Sequence, residues 1–157
     1  MKVMLILMGL PRSGKTTLRN KLKRYTAISA DDFRYLVYGK RFDSKCEPLM
    51  WSIREIALRN LMQQDKDIII DECNNSVKRR KPLLRLAKEY NYETHILYVN
   101  TPLDICVERA IKIDDEEIIP TIESMNERFE EPIVNESSYI EGDVNFIYTV
   151  LCEMGLI

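Results

Sequence analysis

The chain has 157 residues, 45% of them hydrophobic and 31% charged, with a formal net charge of −2. That length suits one α/β domain spanning 1–157, and no apolar run approaches the ~20 residues of a membrane span, so no membrane-spanning helix is expected. The balanced charge argues against a broad, non-specific grip on duplex nucleic acid but leaves room for a local basic groove.

Val3-Met4-Leu5-Ile6-Leu7-Met8 is continuously apolar, as a strand buried on both faces of a parallel sheet should be, and reads as a first strand rather than a signal peptide. It runs straight into Gly9-Leu10-Pro11-Arg12-Ser13-Gly14-Lys15-Thr16, a match to G-x-x-x-x-G-K-[ST]. Glycines at 9 and 14 let the backbone turn tightly against phosphates, and the loop amides form an anion nest at a helix N-terminus. Lys15 is expected at the β/γ-phosphates and the Thr16 hydroxyl on Mg²⁺, so residues Gly9 to Thr16, with Thr17, form the expected ATP site. Leu18 and Leu22 give the following helix its inner face.

Tyr25 to Ser29 reads as a short second strand. Asp31-Asp32-Phe33-Arg34 follows it, on the side of the sheet where ligands of open parallel sheets bind. Asp31 and Arg34, one helical turn apart, supply a proton acceptor and a cation, the pair that phosphoryl transfer to a hydroxyl requires. Residues 47–64 predict a long helix with Ile53, Ile56, Ala57 and Leu61 inward. A third strand, Asp67 to Asp71, ends in Asp71-Glu72, where a carboxylate orients Mg²⁺ or its water shell beside Thr16. Ser76 is expected to cap a helix to about Tyr90, with Leu83, Leu84, Leu86 and Ala87 inward. Lys78, Arg79, Arg80, Lys81, Arg85 and Lys88 make that helix basic, either as a polyanion-binding surface or as a solvated face.

Thr94 to Val99 predicts a fourth strand, with His95 in a structural place. A helix follows with Thr101 as N-cap and Pro102 at its first position. A lid is expected over about 109–120, with Arg109 and Lys112 near the transferring phosphate and Asp114 to Glu117 at its solvated tip. Pro120 restarts a helix to about Glu130, and the segment from Asp143 fits a helix or a strand. Alternating strands and helices predict an α/β P-loop NTPase fold, an open parallel β-sheet of four to five strands flanked by helices, with a lid. Cys46, Cys73, Cys106 and Cys152 form no C-x-x-C pair, so no zinc site is expected and a reducing cytoplasm is the expected setting.

Over roughly residues 1–142 the chain resembles the polynucleotide 5′-hydroxyl kinase domain, above all its bacteriophage type. Ile28 to Arg34 is similar to the family's strand-end motif, which makes Asp31 the general base and Arg34 the arginine for acceptor and transferring phosphates. Ile69 to Asn74, followed by Lys78-Arg79-Arg80, resembles the acidic-Thr-Asn motif and basic helix, with Cys73 in place of threonine; Asn74 and Arg79 become acceptor-binding residues. Val99 to Leu103, Cys106 to Arg109, and Pro120 with Met125, Arg128 and Phe129 resemble the segments around the lid. Where phage kinases carry a second lid arginine, the chain reads Ile113 or Asp114.

The resemblance implies transfer of the ATP γ-phosphate, with Mg²⁺, to the 5′-end of DNA or RNA, single-stranded ends included, with no membrane and no obligate protein partner. Two other readings stand beside it. One is a related kinase acting on a nucleotide, a small metabolite or a hydroxymethylated base in DNA. The other is an ATP-binding switch without transfer. With no N-K-x-D segment to select guanine, ATP is the expected donor.

Overall fold

A computed structural model describes residues 2–133 and 135–157. The five strands are β1 (Val3–Met8), β2 (Thr26–Ser29), β3 (Ile68–Asp71), β4 (Glu93–Val99) and β5 (Ser138–Gly142). They pair in the order β2-β3-β1-β4-β5, every pairing parallel. β1 lies between β3 and β4, with Leu5 in register with Ile69 and His95. Its six side chains are all buried because both faces of the sheet are covered.

The alternation along β1 divides the interior into two layers. Met4, Ile6 and Met8 meet Leu58 and Met62 of α3 (Glu47–Gln63) and Leu83, Leu86 and Ala87 of α4 (Val77–Glu89). Val3, Leu5 and Leu7 meet Leu18 of α1 (Lys15–Lys21) and Ile147 and Leu151 of α7 (Val144–Glu153). A third cluster, Leu10, Cys106, Ala110 and Ile122, seats α5 (Leu103–Lys112) and α6 (Ile119–Glu127) against the loop that follows β1. A 3-10 turn, Glu116–Ile118, joins those two helices. No described helix is long and apolar enough to cross a membrane.

Open alternatives are settled and several expectations are corrected. The segment from Asp143 is helix, capped by Asp143 Oδ1, which accepts from the Phe146 N–H at 2.8 Å. The fifth strand lies just before it, at Ser138–Gly142, whose half-exposed edge carries no apolar run to announce it. On α3 the expected Ala57 and Leu61 pack partly buried against the core, but the buried row is Met50, Arg54, Leu58 and Met62, and Ile56 is exposed. An arginine occupies that buried row because Glu72 pairs with it, a contact no periodicity rule foresees. α5 starts one residue late, with Pro102 at the cap position, because the Thr101 hydroxyl donates instead to Ser13 O at 2.7 Å. Ser76 is the N-cap of α4 by backbone only; Glu130 Oε2 accepts the Val77 N–H at 2.6 Å in its place. Between β2 and α3 the chain forms a further helix, α2 (Ala30–Tyr38), capped by Ser29 Oγ and ended by Gly39 at φ 68°.

Candidate active site

The loop from Gly9 to Gly14 leaves β1 at the sheet's carboxyl edge, between the ends of β3 and β4, where the strand order reverses. Its shape is fixed from outside. The Gly9 N–H donates to Cys73 O at 3.1 Å, and a Cβ at Gly9 would lie 2.7 Å from Val99 O. Gly14, at φ 111°, begins α1. On the side of α5 the Thr101 hydroxyl and the Arg109 guanidinium bind loop carbonyls, Arg109 Nη1 standing 3.0 Å from both Arg12 O and Ser13 O. The Gly9 and Ser13 N–H groups are bonded to Cys73 O and Leu10 O, and the remaining loop N–H groups are left to form the nest that oxyanions occupy.

Lys15 is buried, and its ammonium donates to Gly9 O at 3.0 Å and Leu10 O at 2.6 Å. Ser13 Oγ and Arg12 Nε are buried polar atoms without a hydrogen-bond partner among the described residues. Such orphans suit a loop that takes a polyanion. The Thr16 hydroxyl donates to Asp71 Oδ2 at 3.2 Å, so a hydroxyl and a carboxylate stand together at the end of β3. That is the hard-oxygen pair magnesium takes when phosphates supply most of its other ligands. Burial pushes the Asp71 carboxyl above its ordinary range, against the opposing pull of Arg19, Lys15 and the Thr16 hydroxyl.

Asp31 lies in the first turn of α2, exposed, with Oδ1 2.8 Å from Arg34 Nη1. The other edge of Arg34 binds Glu47 through two 2.8 Å bonds, and these hydrogen bonds, more than that from Asp31, hold the guanidinium more firmly protonated. The Asp31–Arg34 turn and the Thr16–Asp71 pair are joined by Arg19, whose Nη1 lies 2.8 Å from Asp32 and 3.1 Å from Asp71. Trp51 of α3 is faced by three guanidinium groups at 5.7–5.9 Å, those of Arg34, Arg54 and Arg79. Arg54 is bound to Glu72 by two hydrogen bonds, whereas Arg79 has no carboxylate partner among the described residues.

The remaining expected residues fall out unevenly. Asn74 is buried at φ 46°, and its Nδ2 donates to Leu7 O at 2.7 Å, so the side chain braces β1 and only Oδ1 lacks a partner. Arg80 is the clearest departure from a basic surface helix. It is fully buried, binding Glu136 and the carbonyls of Asn74, Glu130 and Glu131. Asp115 is no solvated lid tip either: it accepts hydrogen bonds from both Arg12 and Arg41. Arg19, Arg41, Glu47 and Arg54 escaped the sequence reading. Only Arg19 carried a local signal, standing one turn after Thr16 on the same helix.

A family profile described as AAA domain (AAA_33) matches residues 4–132. The chain belongs to this family. L-seryl-tRNA(Sec) kinase of Methanococcus maripaludis is 23% identical, over 83% of this chain and 53% of its own length, so the chain spans about half of that curated relative. A solved structure from Chloroflexus aurantiacus, described as that of a kinase, superposes with a TM-score of 0.76 at 16% identity, covering 99% of this chain and 94% of its own. A chain of the Pnkp1/Rnl/Hen1 RNA repair complex superposes at 0.64 with 22% identity, over 84% of this chain and 48% of its own. At these identities the structural likeness is one of fold, and the fold of this AAA-domain chain is that of the P-loop kinases.

Proposed function

We propose that this AAA-domain chain is an ATP-dependent kinase that phosphorylates the 5′-hydroxyl end of DNA or RNA. The observation that carries the reading is the Asp31–Arg34 pair, joined through Arg19 and Asp32 to the Thr16–Asp71 pair of the phosphate loop. A protein that only binds ATP needs no exposed carboxylate in that place. Asp31 takes the proton of the acceptor hydroxyl as its oxygen bonds to the γ-phosphorus. The bond from that phosphorus to the bridging oxygen breaks, and ADP leaves with the electron pair. Lys15 and the loop amides stabilise the charge that grows on the phosphoryl oxygens, and Arg109 braces the loop they belong to. Thr16 and Asp71, directly or through water, would hold Mg²⁺, which would supply charge neutralisation on the phosphates. Arg34 orients Asp31, while Arg79, with Trp51 beside it and Asn74 Oδ1 nearby in sequence, forms the acceptor side.

A polynucleotide acceptor is supported by the resemblance to the polynucleotide 5′-hydroxyl kinase domain and by the RNA repair complex among the structural neighbours. One observation favours a smaller hydroxyl compound as a second reading. Arg80 is buried, and Arg19, Arg34 and Arg54 are each paired with carboxylates, so of the four guanidinium groups Arg19, Arg34, Arg54 and Arg79 only that of Arg79 lacks a carboxylate partner among the described residues. Transfer of label from [γ-³²P]ATP separates the two. The acceptors, tested in parallel, are 5′-hydroxyl DNA and RNA oligonucleotides, nucleosides, sugars and hydroxymethyluracil-containing DNA. Label at oligonucleotide 5′-ends, lost in Asp31→Asn with ATP binding kept, is the expected result. Label confined to small acceptors selects the second reading, and ATP binding with no transfer to any acceptor overturns both.

A further inference from the structure

The lid lacks a second arginine, and the residue nearest that place, Ile113, is exposed and apolar. The lid's remaining arginine, Arg109, is engaged with carbonyls of the phosphate loop. Two other guanidinium groups converge on the same mouth. Arg12 stands within the phosphate loop at φ 66°, and Arg41 in the connection between α2 and α3. Both bind Asp115, which lies between α5 and the 3-10 turn of the lid. Arg41 is bidentate at 2.9 and 3.0 Å, and Arg12 binds through Nη2. Asp115 is itself fixed by its N–H on Ala110 O at 3.0 Å. Phosphate loop, acceptor-side connection and lid are thus tied at one carboxylate.

Two guanidinium groups on one carboxylate leave a net positive charge, and Arg12 Nε remains buried without a partner. A guanidinium fixed by a carboxylate on one edge is pre-organised to present its other N–H groups to a second oxyanion. Phosphoryl transfer requires that kind of charge at the equatorial oxygens of the moving group, and an arginine supplied from within the same chain meets the need as well as one from a lid.

We propose that Arg12 and Arg41 act on the γ-phosphate of the donor in place of the absent second lid arginine, with Asp115 as the residue that positions both. This rests on the donor half of the kinase reading and is independent of which acceptor is used. Nucleotide binding without any acceptor tests it, comparing a non-hydrolysable ATP analogue with ADP by calorimetry. Wild type is expected to favour the ATP analogue. In Arg12→Ala and Arg41→Ala that preference should collapse while ADP affinity holds within about twofold, and turnover should fall about a hundredfold. Arg41→Lys keeps a charge on an exposed connection and should restore part of the preference. Asp115→Asn should reduce the preference less than either alanine variant. Equal losses for both nucleotides, or an unchanged preference and turnover in the alanine and lysine variants, would overturn the assignment and leave the kinase reading standing. A wild-type chain that binds neither nucleotide overturns both.

Discussion

Asp71 concentrates the conflict between stability and chemistry in a single side chain. It ends a strand whose four residues are all buried, so its carboxylate is taken out of water even though Arg19 and Thr16 contact it. Burial wins, and the carboxyl titrates above its ordinary value. In the window between the ordinary and the raised value, the folded chain keeps a proton that the unfolded chain has released. Stability therefore falls as pH rises through that window and stays lower above it. Asp71→Asn removes this cost. Its melting temperature is expected above that of wild type at pH 7, with the gap closing as pH falls through that window toward the ordinary carboxyl value of about 4. Under the proposed kinase function, turnover of the same variant is expected to fall about 10–100-fold, the usual cost of losing a carboxylate that orients a metal. A lower melting temperature at pH 7 would mean that the Arg19 ion pair outweighs desolvation.

Elements tell how much a sequence can disclose. The first strand, the phosphate loop and the start of α1 were legible because their signals are local: an apolar run, two glycines, a lysine and a threonine at fixed spacing. Asp31 and Arg34 were legible for the same reason, being three residues apart. The contacts that shape the rest join distant positions, 103 residues apart for Arg12 and Asp115 and 56 for Arg80 and Glu136, and no window along the chain contains both partners. α4 shows the consequence. Its row of cations reads as surface, yet Arg80 is the strut that fastens the segment around Glu130, Glu131 and Glu136 to the end of β3 through Asn74 O. Removing it strands a buried carboxylate and three carbonyls. Arg80→Met is expected to lower unfolding free energy in urea by about 3–5 kcal/mol, the cost of breaking a buried pair from one side. Arg80→Met combined with Glu136→Gln should recover part of that loss, because the uncompensated charge is gone. Additive losses in the double variant would show that the carbonyl contacts, not the ion pair, dominate.

At the scale of the whole molecule, the fold extends beyond the part that the family match spans. The AAA-domain match ends at residue 132, but β5 and α7 follow it and complete one face of the sheet. Ile147, Leu151 and Leu156 lie fully or almost fully buried against Leu5, Leu7, Leu18, Leu22 and Leu97, and Tyr25 donates its hydroxyl to Leu156 O at 2.8 Å. The helix also touches the site: a Cβ at Gly14 would lie 3.0 Å from Val144 Cγ2, so the first turn of α7 abuts the phosphate loop. Each large apolar side chain so buried contributes about 1.5–3 kcal/mol, and deleting the helix would in addition uncover the five leucines beneath it. That sum is comparable with the whole net stability of a typical domain, about 5–15 kcal/mol. A chain ending at residue 142 is therefore expected not to fold, seen as loss of a cooperative melt and gain of dye-binding apolar surface. Leu151→Ala, which removes one side chain and keeps the helix, should fold but lose about 2–5 kcal/mol. A cooperative melt and ATP binding in the 1–142 chain would show instead that the sheet and α1 hold the phosphate loop without α7.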